Sequence, residues 1–164
     1  IMGSTSDMPV MQKEAQFLDD MEIPFEINAL SAHRTPEMVE KFASNAHKNG
    51  IKVIIAGAGG AAHLPGMIAS LTNLPVVGVP VKTKALSGVD SMYSILQMPA
   101  GVPVATVAIG GGLNAGLLAA QILGVSNHLI QQKLDDYRKK LHNSIVKKDE
   151  TLNNIGSKKY TEQM

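Results

Sequence analysis

A chain of 164 residues that is 45% hydrophobic and 18% charged is sized for one domain with a real core, which excludes a disordered chain. Its net charge of +1 offers no bulk attraction for nucleic acid or an anionic membrane, and no apolar run approaches the roughly 20 residues that span a bilayer. Cys is absent, which excludes disulfides, thiolate metal sites and a Cys nucleophile, and aromatics at 4% argue against base stacking.

No secretory signal pattern opens the chain, so a cytoplasmic location is expected. Ile1-Met2-Gly3 reads as the end of a strand running into a loop, and a strand this short implies that a few apolar residues are missing before it. Asp7 is placed to cap a helix that opens with Met8 and Pro9, and Met11, Ala15, Leu18 and Met21 supply its apolar face. From Pro24, alternation of Phe25, Ile27 and Ala29 with Glu26 and Asn28 predicts a strand. Thr35 as cap and Pro36 as first residue start a second helix, which Gly50 ends. Residues 51–56 (IKVIIA) read as a buried parallel strand, followed by a Gly-rich turn and a helix from Leu64 to Leu71. A short strand over 76–79, a helix over 88–97, a strand over 104–109 and a helix over 114–123 complete the alternation.

Beyond Gly124 the pattern changes. Ile130, Leu134, Tyr137, Leu141 and Ile145 recur at helical spacing among charged residues, which predicts a long amphipathic helix whose stripe meets another subunit. Residues 147–164 are polar and are expected to fray. The expected architecture is therefore a three-layer α/β/α domain over residues 1–124 with a parallel five-stranded, flavodoxin-like sheet. Residues 125–164 add a C-terminal helix and tail to the same domain.

Ligands of such sheets sit at the carboxyl ends of the strands, a rule that selects three loops. The first, residues 3–7 (GSTSD), offers hydroxyls and backbone N–H groups at a helix start, a natural anion site. The local motif by itself reads more as a plain cap with Asp7 as the capping residue, and it has neither P-loop nor dinucleotide spacing. The second, residues 31–36 (SAHRTP), sets His33, able to exchange a proton near neutral pH, beside Arg34, a forked phosphate ligand. As a bare surface loop it would need neither role. The third, residues 57–66 (GAGGAAHLPG), leaves main chain open to a ligand around His63, or packs helix on strand with His63 inside the core. His47, His128 and His142 read as solvated, and Lys82 and Lys84 as a solvated face more than as a guide for an anionic substrate. No spacing suggests a metal site.

Taken in order, these loops resemble the class I N5-carboxyaminoimidazole ribonucleotide mutases, the PurE family. The resemblance rests on Gly3-Ser4-x-Ser6-Asp7, on residues 31–36, on GAGGAAHLPGM over 57–67, on Gly78-Val79-Pro80, on LSGVDS over 86–91 and Gln97-Met98-Pro99, and on 114–123. It covers about residues 1–124. One departure is a segment, 110–116 (GGGLNAG), two residues shorter than the family's usual form. The resemblance implies conversion of N5-carboxyaminoimidazole ribonucleotide to 4-carboxy-5-aminoimidazole ribonucleotide in purine (IMP) biosynthesis, without metal or cofactor, by a homo-octamer. It makes His33 the general acid/base. It makes Ser4, Asp7 and Arg34 substrate-binding residues, with Ser6, Ser31, Gly59, Ala61 and His63 lining the pocket. A direct aminoimidazole ribonucleotide carboxylase of the same fold is the nearest alternative. A non-catalytic nucleotide-binding module and a purely structural oligomer are the others.

Overall fold

The computed structural model describes residues 1–162. After a 3-10 turn at Thr5–Asp7, the elements run in order α1 (Met8–Asp20), α2 (Pro36–Ala46), β1 (Ile54–Gly59), α3 (Leu64–Leu71), β2 (Val76–Val81), α4 (Val89–Leu96), β3 (Ala105–Thr106), α5 (Gly112–Gly124) and α6 (His128–Glu162). The strands form one parallel sheet in the order β1-β2-β3.

Side-chain alternation along the strands sorts the helices into layers. Ile54, Ala56 and Ala58 of β1 join Val39, Ala43 and Ala46 of α2, Leu64 and Ile68 of α3 and Ile95 of α4 in one apolar cluster. Val77 and Val79 of β2 join Ala115 of α5, with Val10 of α1, Val53 and Ile55 packed against them, in another. Three layers result, helices lying on both faces of a sheet whose central strand, β2, is buried at all six positions.

The sheet differs from the expected five regular strands. The two outer candidates are reduced to single bridges: Met2 pairs in parallel with Ala29 on one side and with Gly57 on the other. A ladder needs consecutive pairs, and Gly3 already turns away into the first loop, donating to the Gly57 carbonyl at 3.3 Å. The 24–30 segment has only that short neighbour, so Phe25 and Ile27 stay exposed instead of alternating into a core. Boundaries moved elsewhere too. β1 runs three residues further than expected, through Gly57, Ala58 and Gly59, because these pair with Val79, Pro80 and Val81 of β2. β3 is confined to Ala105 and Thr106. The short 110–116 segment turns through Gly110 (φ +70°), whose N–H donates to Pro80, and α5 starts at Gly112, earlier than expected.

The α1/α5 contact is built on glycines. A Cβ on Gly112 would strike the backbone carbonyl of Val10, and one on Gly116 would lie 3.3 Å from Glu14 Cα. Glu14 is itself buried there, with its Oε2 unpartnered. Burial pushes its carboxyl up to about 8.

The chain divides into two compact units, Ile1–Leu123 and Gly124–Met164. In the second, α6 continues to Glu162 where fraying was expected beyond residue 147, interrupted only at Gly156 (φ +77°). Gly156 is the one residue of α6 outside the helical region, a conformation open to glycine. Residues 163 and 164 of the expected tail lie outside the described residues. Of the apolar stripe, Leu134 is buried, while Leu141 and Ile145 are exposed. No helix among the described residues is long and apolar enough to cross a membrane.

Candidate active site

Chain segments leaving the carboxyl edge of the sheet wall a cavity of about 530 Å³. All nine residues singled out in the sequence line it: Ser4, Ser6, Asp7, Ser31, His33, Arg34, Gly59, Ala61 and His63. They come from positions far apart in sequence, and the sheet brings them together because Met2, Ala29 and Gly57 are neighbours across it.

The first loop is not a plain cap. Asp7 occupies the position before α1 but makes no capping hydrogen bond. Ser4 caps the 3-10 turn, its hydroxyl accepting from Ser6 N at 3.3 Å and from Ser6 Oγ at 2.9 Å. That leaves the Asp7 carboxyl at the cavity wall, 8% exposed, where burial raises its pKa against hydrogen bonds from the Ser4 backbone and the Ser6 side chain.

The second loop is fastened at both ends. Thr35, expected to cap α2, instead accepts from Ser31 N at 2.9 Å and donates to Ser31 O at 3.1 Å. Arg34 donates through Nη2 to Gly3 O at 2.9 Å and through Nε to Ser31 Oγ at 3.2 Å, stitching the second loop to the first. His33 reaches the third loop: its Nε2 lies 2.7 Å from His63 Nδ1, the rings meeting edge to face at 84° with centroids 4.8 Å apart.

The third loop is held from α4. Ser91, fully buried, donates to Val81 O at 2.7 Å and accepts from Gly60 N at 2.9 Å. Ser94 donates to Gly60 O at 3.2 Å. Gly60 itself has φ +73°, a conformation suited to glycine, so the small residues here turn the chain sharply as well as leaving main chain open.

A fourth wall comes from a segment whose lysines were read in the sequence as a solvated face. Lys82, Thr83 and Lys84 also line the cavity. The carboxyl-edge rule, applied to the strand over 76–79 as it was to the other three, would have selected this segment. Thr83 is fixed by donating to Asp90 Oδ1 at 2.8 Å and accepting from Gly88 N at 3.3 Å. Ser91 and Ser94 carried no signal of their own, since their part is visible only once α4 is placed. Among the described residues, no group of three or more His, Cys, Asp or Glu side chains is arranged to hold a metal ion.

The sequence model of the family described as AIR carboxylase matches residues 1–144. The chain belongs to this family. An N5-carboxyaminoimidazole ribonucleotide mutase of Thermotoga maritima is 55% identical over 163 residues, covering 99% of this chain and 95% of that protein. One from Synechocystis sp. is 53% identical over 163 residues, covering 99% and 93%. Among solved structures, a crystal structure of Treponema denticola PurE superposes with a TM-score of 0.84 at 30% identity, over 92% of this chain and 94% of that one.

Proposed function

We propose that this AIR carboxylase family member is an N5-carboxyaminoimidazole ribonucleotide mutase acting in de novo purine (IMP) biosynthesis, with His33 as its general acid/base. The observation that carries this reading is the convergence of the three sequence loops on one cavity with His33 in its wall. The mutase names of relatives above 50% identity along nearly the whole chain support it over the direct carboxylase.

The chemistry follows from the substrate. N5-carboxyaminoimidazole ribonucleotide carries a carbamate on an exocyclic nitrogen. A proton from His33 to that nitrogen makes it a leaving group, and carbon dioxide departs as the C–N bond breaks. The freed aminoimidazole is enamine-like and attacks carbon dioxide through ring C4, forming the new C–C bond. His33 then takes the C4 proton, and the ring recovers its aromaticity. One imidazole that gives first and takes later closes the cycle with no external acid or base. Carbon dioxide offers little to hold, so retaining it is a matter of enclosure, and the Gly59–Ala61 main chain would form that wall. Arg34 and the first-loop N–H groups would anchor the phosphate, with Ser4, Ser6 and Ser31 adding hydroxyl contacts. Asp7 would hold the ribose hydroxyls. His63 would line the reacting end. No cofactor enters this scheme.

The same reading makes the enzyme a cytoplasmic homo-octamer. The exposed Leu141 and Ile145 of α6 favour a neighbouring subunit as the cover for that helix. The two bridges at Met2 favour two further strands, giving the five-stranded flavodoxin-like order.

The test is turnover of N5-carboxyaminoimidazole ribonucleotide with chelator present and no ATP, run beside His33→Asn because the substrate decays spontaneously. Product from the unmodified protein alone is the expected result. An active His33→Asn enzyme would overturn the role of His33. Product only from aminoimidazole ribonucleotide with bicarbonate would assign the direct carboxylase. Light scattering checks the octamer, and a monomer at micromolar concentration would exclude it.

A further inference from the structure

A nitrogen–nitrogen distance of 2.7 Å between two imidazoles has room for one hydrogen, not two. Either His33 Nε2–H donates to His63 Nδ1, or the reverse. The fold favours the first. His63 stands at the start of α3, where the helix N-terminus suits an acceptor lone pair, which assigns the hydrogen between the rings to His33 Nε2. Both rings ride on fastened backbone. His63 accepts at its carbonyl from Met67 N at 2.9 Å, and the His33 loop is closed by the Ser31–Thr35 hydrogen bonds. The other charged groups on the cavity wall are Asp7, Arg34, Lys82 and Lys84, and none has a hydrogen bond or ion pair to either ring.

We propose that His63 is a positioning residue: by accepting the His33 Nε2–H, it fixes the tautomer of His33 and leaves Nδ1 as the nitrogen that exchanges protons with the substrate. This rests on the mutase reading above. The protons balance within the pair. The His33 imidazolium gives its Nδ1–H to the carbamate nitrogen and becomes neutral, keeping Nε2–H on His63. After carboxylation, the Nδ1 lone pair takes the C4 proton and restores the imidazolium. His63 exchanges no proton in this cycle; its Nδ1 holds the Nε2–H of His33 and so fixes the ring's orientation.

Two substitutions separate positioning from mere packing. Asparagine can place Oδ1 where Nδ1 of His63 lies and still accept; leucine cannot. His63→Leu is expected to lower kcat about 10- to 100-fold, the range for losing a hydrogen bond to a charged group. KM should change little. His63→Asn should recover most of the lost kcat. Nitrogen-15 NMR of histidine-labelled wild-type protein should find neutral His33 protonated on Nε2, a measurement that needs no variant to fold. Equal kcat for the Leu and Asn variants, a loss confined to KM, or neutral His33 protonated on Nδ1 would each overturn the inference. A wild-type enzyme without turnover would instead overturn the mutase reading.

Discussion

Arg34 and Gly3, 31 residues apart, are joined by a 2.9 Å hydrogen bond from the guanidinium to the glycine carbonyl. The same side chain also donates to Ser31 Oγ, so one fork fixes the first two loops relative to each other. A lysine gathers its donors on one nitrogen and lacks the planar fork that here spans both partners. Arg34→Lys is therefore expected to raise KM for the ribonucleotide about tenfold, with a smaller change in kcat, because binding geometry suffers more than proton transfer. Steady-state kinetics of the variant check this, and an unchanged KM would remove Arg34 from the binding wall.

Ser91 makes the third loop a structural prediction as well as a functional one. Its hydroxyl satisfies a buried carbonyl and a loop N–H at once. Ser91→Ala leaves both unpaired, which should cost about 2 kcal/mol of stability and loosen the Gly60 turn. Thermal melts report the first effect. The second should appear as a fall in kcat at temperatures where the variant remains folded.

Lys82 and Lys84 are exposed, and among the described residues the structure gives neither an acidic partner. The nearby Asp90 carboxylate accepts instead from Thr83. Two unpaired ammonium groups on the cavity wall should attract the phosphorylated, carboxylated substrate of the proposed reaction over a screened distance of about 8–10 Å. The Lys82→Met/Lys84→Met double variant is expected to raise KM several-fold and to flatten the dependence of kcat/KM on ionic strength, with kcat retained. A salt dependence identical to that of the wild type would return these lysines to the role of a solvated face.

Glu14 sets a pH dependence of stability. Its carboxyl titrates at about 8 in the folded chain, far above the ordinary range it takes when unfolded. The folded chain therefore keeps a proton that the unfolded chain releases, so the contribution is complete at low pH and is lost as pH rises towards 8. Glu14→Gln stays neutral throughout. The two proteins should differ little near pH 5 and diverge towards pH 8, the variant then being more stable by about 3–4 kcal/mol. Melting curves across that range decide it. A wild type that gains on the variant with rising pH would show that a cation pairs with Glu14.

Much of this is legible in the amino-acid sequence. Helix α1 follows from apolar spacing and Pro9, α2 starts at Pro36 as read, and the site loops follow from the rule that ligands sit where strands end. What the sequence could not reveal depended on pairing partners. Gly57, Ala58 and Gly59 look like a loop because small residues lack strand propensity, yet they are strand because Val79, Pro80 and Val81 lie alongside. Phe25 and Ile27 alternate like a strand but lack a full-length neighbour. Thr35 is a good capping type whose hydroxyl found Ser31 first. The contact between His33 and His63 spans 30 residues and could not be read from either loop alone.

The glycines between α1 and α5 have a bearing on how the protein can change. On the α2, α3 and α4 face, a Cβ added at Gly66 or Gly78 would meet side chains of Met98, Ile95 and Val104, so a gained methyl can be offset by a trimmed one nearby. On the α1 and α5 face, the Val10 carbonyl sits where a Gly112 side chain would begin, and no compensating trim exists for main chain. Substitutions should accumulate unevenly, the first face drifting in composition while the second keeps its glycines. Redesign of this scaffold should begin on the face that can adjust.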